Sequence, residues 1–273
     1  PQRRATIVHA SCAASTRQYF FVYLCAVLSP ERFMRLMSRV IDVAGFEDMW
    51  GQVAQSGAVL ACVHSDLFFA ISNYLKARGV SVSSVADSFV LGVALGSDRD
   101  IRLSFPALFP EMLDSRGAMV GKDLLARLRG GGVALVAFDA PPQREALGEA
   151  MPTIAFLGHS VRRFDGAAWL AVRSGKPLIF VGTYRRGKRT VLQVTRVPPD
   201  MSLSFRERVA ALTAHLYALG EAFIREHPES WMVWSYFHTF GAVRMGETGE
   251  QGAVTGAVAG FMTPEVVAND VAR

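Results

Sequence analysis

The chain has 273 residues, 51% of them hydrophobic and 19% charged, with a mean hydropathy of +0.23, a pI near 9.4 and a formal net charge of +5. It is long enough to bury a sizeable core, and it is apolar for a soluble enzyme. The longest uncharged apolar stretch near the start, Tyr19 to Leu28, is shorter than the about 20 residues that span a bilayer, so a monotopic, membrane-associated protein fits better than an integral one. The basic excess, mostly arginine, suits an anionic partner such as a phospholipid surface or a phosphorylated substrate. No zinc-finger spacing, interleaved aromatic and basic stripe or Gly-Lys-Ser/Thr loop points to nucleic acid. Cys12, Cys25 and Cys62 lack metal-ligand spacing and read as reduced packing residues of a cytosol-facing protein.

In chain order, Arg17 to Val43 reads as helix in two pieces, the second capped by Ser29 with Pro30 at its first position. Phe33, Leu36, Met37, Val40 and Ile41 give that second piece an apolar face, with Arg32, Arg35 and Arg39 elsewhere on the turn. Ala58 to Val63 has no strongly polar residue and no helical alternation, which predicts a short strand covered on both faces. It stops at His64, and a helix from about Leu67 to Ala77 follows, with Ser65 or Asp66 as cap. Further strands are expected at Val80 to Ala86, Val133 to Phe138, Pro177 to Gly182 and Arg189 to Val197, the last at an edge. Helices are expected at Lys122 to Leu128, ending at Gly130-Gly131-Gly132, at Phe164 to Ser174, closed by Gly175, and at Ser204 to His227, opened by a Ser204/Glu207 capping box.

Strands alternating with helices predict an α/β fold: a single domain with a mixed, mostly parallel sheet flanked by helices. The organisation expected is an apolar and amphipathic, membrane-associating helical region at 1–44, an α/β domain at 45–240 and a poorly ordered tail at 241–273. In such sheets ligands bind at the C-terminal ends of the strands, and His64 is placed there.

Several separated stretches form one ordered series: Arg116-Gly, the turn at Gly131-Gly132, Val136-Ala-Phe-Asp139, and Gly148…Pro152…Phe156-Leu-Gly158. It continues with Ala167-Ala-Trp-Leu-Ala171, Gly175-Lys-Pro177 and Arg225-Glu-His-Pro228-Glu-Ser-Trp231-Met-Val-Trp234. Together they resemble the bacterial lipid A biosynthesis acyltransferases, the lauroyl and myristoyl transferases of the lysophospholipid acyltransferase superfamily, over roughly Arg17 to Phe240. The resemblance implies a glycerolipid-acyltransferase-like fold and a histidine in an H-x-x-x-x-D/E motif. That histidine acts as general base on an acceptor hydroxyl, which attacks the thioester of an acyl carrier protein or coenzyme A. It implies no metal and no organic cofactor, and a place at the cytoplasmic face of a bacterial inner membrane.

His64 falls on the family histidine, but the position of the acid is Phe69. A phenylalanine cannot orient or charge an imidazole. Asp66 is the nearest replacement, with Asp87 or Asp139 at neighbouring strand ends as alternatives. An acceptor acidic enough to need only a weak base is a further alternative. A catalytically silent protein that binds lipid or a partner is another. Arg116 matches a family arginine expected near phosphate or carrier groups, and Asp139 also matches a family position. Arg162 and Arg163 could steer a carrier or an anionic head group, and Phe69 beside Phe68 could shape an acyl site. The acceptor is expected to be a hydroxyl or amine of a lipid or other metabolite.

Overall fold

A computed structural model describes residues 2–86, 111–114, 119–139, 152–235, 237 and 243–244. The described residues up to Val243 form one compact unit. Its helices are α1 (Gln2–Val27), α2 (Pro30–Val40), α3 (Ala44–Ser56), α4 (Ala70–Ala77), α5 (Val120–Arg129), α6 (Gly166–Ser174) and α7 (Phe205–Glu226). The main strands are β1 (Ile41–Asp42), β2 (Ala58–Cys62), β3 (Val82–Ala86), β4 (Glu111–Asp114), β5 (Val133–Ala137), β8 (Leu178–Arg186) and β9 (Arg189–Val197), while β6 (Thr153–Phe156) and β7 (His159–Arg162) form a separate antiparallel hairpin.

The seven-stranded sheet runs β1-β9-β8-β2-β5-β3-β4. Within it β8, β2, β5, β3 and β4 are parallel, and β9 returns antiparallel to β8. β2 is central and buried at every residue, as its unbroken apolar run predicts. Its side chains alternate between two cores. Val59, Ala61 and Val63 join Leu124 and Leu128 of α5, Ala167 and Leu170 of α6, and Leu212, Leu216 and Phe223 of α7. Ala58, Leu60 and Cys62 join Phe21 of α1, Phe33 and Met37 of α2, Phe46 of α3 and Ile71 of α4. The period of two along the strand thus builds a helix–sheet–helix sandwich.

Glycine sets how closely the two central strands start. Gly57 precedes β2 with φ +73°, and a Cβ there would lie 2.2 Å from the Gly132 carbonyl oxygen before β5. Only glycine tolerates that approach at position 57, and in the facing turn Gly131 takes a left-handed φ of +84° while a Cβ on Gly132 would lie 3.0 Å from the Arg127 carbonyl oxygen. The close start brings β2 and β5 into register from Ala58↔Val133 to Cys62↔Ala137.

The first helix begins at Gln2, well before the expected Arg17, and it is part of the same compact unit: Ala14 and Phe21 are buried. Among the described residues no helix is long and apolar enough to cross a membrane. The expected helix after His64 starts three residues late, at Ala70, and its cap, Phe69, makes no side-chain capping bond. Leu67 is the reason: its φ of 56° is left-handed and cannot begin a right-handed helix. The longest helix carries the Ser204/Glu207 capping box its sequence predicts. Except for Val243–Arg244, the stretch 241–273 lies outside the described residues.

Candidate active site

β2 and β5 end side by side, and Phe138 donates its backbone N–H to the Cys62 carbonyl at 3.1 Å beyond the last paired residues. One residue past Phe138 and two past Cys62, Asp139 and His64 face each other across 75 positions of sequence. The His64 Nδ1 lies 2.8 Å from Asp139 Oδ1. The His64 backbone N–H donates to Asp139 Oδ2 at 2.8 Å, and the Trp231 indole N–H donates to the same oxygen at 2.7 Å. A carboxylate oxygen only accepts, so Nδ1 carries the hydrogen and the base lone pair of the neutral ring is on Nε2. Asp139 is fully buried and its three donors satisfy the ionised form, while the His64 side chain keeps 26% of its surface exposed.

The residues around this cluster hold it in place. The Tyr217 hydroxyl donates to the Phe138 carbonyl at 3.0 Å, and burial pushes its phenol well above the ordinary value, which keeps it a donor. Trp231 is fully buried, and the Ser11 hydroxyl of α1 donates to its carbonyl at 2.8 Å. The Met232 N–H donates to the His64 carbonyl at 2.8 Å, and the Asp66 N–H to the Ser230 carbonyl at 2.9 Å. Ser65 shares a 2.7 Å hydroxyl contact with Thr183 of β8. Three chain segments therefore grip the turn from both sides. The Phe68 ring stands edge-on to the imidazole at 5.0 Å between centroids, and the Phe69 ring lies 4.1 Å from that of Phe68. This is an apolar wall beside the imidazole.

Asp66, expected either to pair with His64 or to cap the following helix, has its carboxylate turned to Arg17 of α1, at 3.1 Å from both Nε and Nη2. Burial raises its pKa above the ordinary 3.8, and the Arg17 bonds and the charges of Arg17 and Arg185 pull it back down. The aspartate beside the imidazole is Asp139, the alternative from a neighbouring strand end. Phe69 packs on Phe68 and accepts the Ser72 hydroxyl on its carbonyl at 2.7 Å. Arg163 pairs with Asp165 at 2.8 Å, and Arg162 is exposed on β7; among the described residues neither bonds to the His64 cluster. Arg116 and Asp87 lie outside the described residues. No group of three or more His, Cys, Asp or Glu side chains among the described residues could hold a metal.

Two participants escape a reading of the sequence alone. Trp231 sits in an aromatic run that suits core, acyl pocket or membrane interface equally, and nothing local marks its indole as a donor to Asp139. Arg17 lies in a helix whose apolar residues dominate, 49 positions from the carboxylate it binds.

A family model described as bacterial lipid A biosynthesis acyltransferase matches residues 2–238. The match spans α1, the His64 turn, Asp139 and Trp231. No curated protein matches the chain.

Proposed function

The chain belongs to the bacterial lipid A biosynthesis acyltransferase family, and from that premise we propose that it moves a fatty acyl group from a thioester to a hydroxyl or amine of a lipid or other metabolite, with His64 as general base. The observation that supports this reading is the 2.8 Å contact between His64 Nδ1 and a fully buried Asp139 carboxylate. It restores from another strand the acid that Phe69 removes from the motif.

In the proposed reaction the acceptor hydroxyl hydrogen-bonds to His64 Nε2. As its oxygen attacks the thioester carbonyl, the proton passes to Nε2. Asp139 holds the ring in the right tautomer and stabilises the imidazolium, with His64 N–H and Trp231 keeping the carboxylate oriented. Collapse of the tetrahedral adduct breaks the C–S bond, and the imidazolium proton goes to the departing thiolate. The products are an ester and a free thiol, and Asp139 stays ionised throughout. The dry wall of Phe68 and Phe69 strengthens these electrostatic interactions and borders the acyl chain. The donor is an acyl carrier protein or coenzyme A thioester, no cofactor takes part, and the protein works peripherally at the cytoplasmic face of the inner membrane.

The test is acyl transfer by purified protein from acyl carrier protein and coenzyme A thioesters to a panel of lipid acceptors, beside His64→Ala. Turnover that disappears in His64→Ala is the expected result. Absence of turnover across the panel would favour the silent binding protein, and turnover that survives His64→Ala would remove His64 from the chemistry.

A further inference from the structure

Gln18 of α1 keeps only 6% of its surface exposed, and neither the oxygen nor the nitrogen of its side-chain amide has a hydrogen-bond partner. Every other unpartnered buried side-chain atom among the described residues is a lone hydroxyl or one atom of a side chain that pairs elsewhere. An amide shut away from water with two donors and an acceptor unmet costs stability, and so calls for an explanation.

Ser11, Ala14, Gln18 and Phe21 recur at helical spacing and are all buried, so they form the face of α1 that meets the rest of the protein. Ser11 donates to the Trp231 carbonyl, and the Phe21 ring stands 5.5 Å from that of Phe33 of α2 between centroids. Arg17, next to Gln18, grips Asp66, so this part of the helix lies over the turn that begins at His64. Ala14 and Phe21, about one turn to either side of Gln18, belong to the same apolar cluster as Leu67, Phe68 and Met232, with Phe69 packed against it. Phe68 in turn meets the imidazole edge-on. The amide is therefore planted in an apolar cluster that extends to the wall beside His64.

We propose that Gln18 selects the acyl group: its amide hydrogen-bonds a hydroxyl carried by the acyl chain, and the donor is a hydroxyacyl thioester. The proposal rests on the acyl-transfer reading and names the kind of chain that reading leaves open. A chain bordered by Phe68 and Phe69 runs along this cluster, where a plain hydrocarbon would leave the amide unmet. A hydroxyl is the smallest substituent that both donates and accepts, so it can serve Oε1 or Nε2. A keto oxygen only accepts, and a carboxylate would carry charge into an apolar site. A site built to bond a hydroxyl discriminates against the chain that lacks it, because that chain leaves a buried polar group unpaired.

The test compares the full chain with Gln18→Met, which puts an adaptable, unbranched apolar side chain in place of the amide. Turnover with the lipid acceptors and the thermal midpoint are measured with S-lauroyl pantetheine and with its α-, β- and ω-hydroxylated forms. The native protein should prefer one hydroxylated chain over the plain one by about 10–100-fold in kcat/KM. Gln18→Met should erase that ratio, losing on the hydroxylated chain and gaining on the plain one. Without any thioester its midpoint should stand about 2–4 °C above the native one, because the unmet amide is gone. Equal use of all chains by the native protein, a preference that survives in Gln18→Met, or a midpoint that falls in the variant would each overturn the proposal. If the native protein turns over no thioester, yet a hydroxylated chain alone raises its midpoint and not that of Gln18→Met, the hydroxyl site stands and the acyl-transfer reading falls. Neither turnover nor a shifted midpoint would sink both.

Discussion

Asp66 and Asp139 are both fully buried at the same end of the sheet, and both touch the turn that begins at His64. Asp66 faces a permanent cation, the guanidinium of Arg17, and its bond joins α1 to the turn. Asp139 faces three N–H donors, of which only the imidazole can gain a proton during a reaction. A carboxylate opposite a fixed charge can hold structure but has nothing left to stabilise. A carboxylate opposite a titratable ring can do both. On the proposed reading, the difference separates a structural acid from a chemical one at sites that sequence distance alone would rank in the reverse order, because Asp66 is two residues from His64 and Asp139 is 75 away.

The sharpest way to break that distinction is to remove the imidazole: His64→Ala should lower acyl transfer by up to about 10⁴-fold, the upper range for a general base, with the thermal midpoint little changed. Trp231→Phe keeps an aromatic ring and deletes one donor to Asp139. A lost bond to a charged group predicts a fall of about 10–100-fold in kcat, with KM nearly constant and an altered pH profile. Arg17→Ala probes the other carboxylate. It should cost about 1–3 kcal/mol of stability in chemical denaturation, because it strands a buried acceptor, while a folded variant keeps most of its turnover.

That loss has a pH sign. Burial already raises the Asp66 carboxyl above 3.8, and removal of Arg17 raises it further. A raised folded-state value means the native form holds its proton where the unfolded chain has released it. The contribution is therefore full below the unfolded value and is lost as pH rises through the folded one. Arg17→Ala should accordingly be least damaging in acid and most damaging near neutrality, as denaturation at a series of pH values would reveal. The smallest effect is expected from Phe69→Glu, which restores the motif acid by sequence. With Nδ1 already held by Asp139, the rate should not rise, and a large gain would mean that Asp139 does not perform the acid's task.

Much of the architecture is legible in the chain because it follows local rules. The unbroken apolar runs of β2 and β5 announce strands covered on both faces, the Ser204/Glu207 box opens α7, and Gly175 ends α6 at a left-handed φ of 69°. The family resemblance locates His64 and Asp139. The sequence does not state that they meet, since that depends on the register Cys62↔Ala137, which a close contact between Gly57 and Gly132 sets. The expected cap at Asp66 fails for a similar reason. Its alternatives, a helix amide or Arg17, are indistinguishable locally, and a left-handed Leu67 displaces the helix start.

The most direct test of the central claim is single-turnover acyl transfer by Asp139→Asn measured beside Asp66→Asn, with folding of each checked by its thermal transition. An amide at 139 cannot hold the imidazole in the base-competent tautomer or stabilise its cation, so transfer should fall by about 10³–10⁴-fold, while Asp66→Asn stays within about tenfold of the native protein. A folded Asp139→Asn that transfers acyl groups at the native rate, or an Asp66→Asn that loses transfer in its place, would contradict the account.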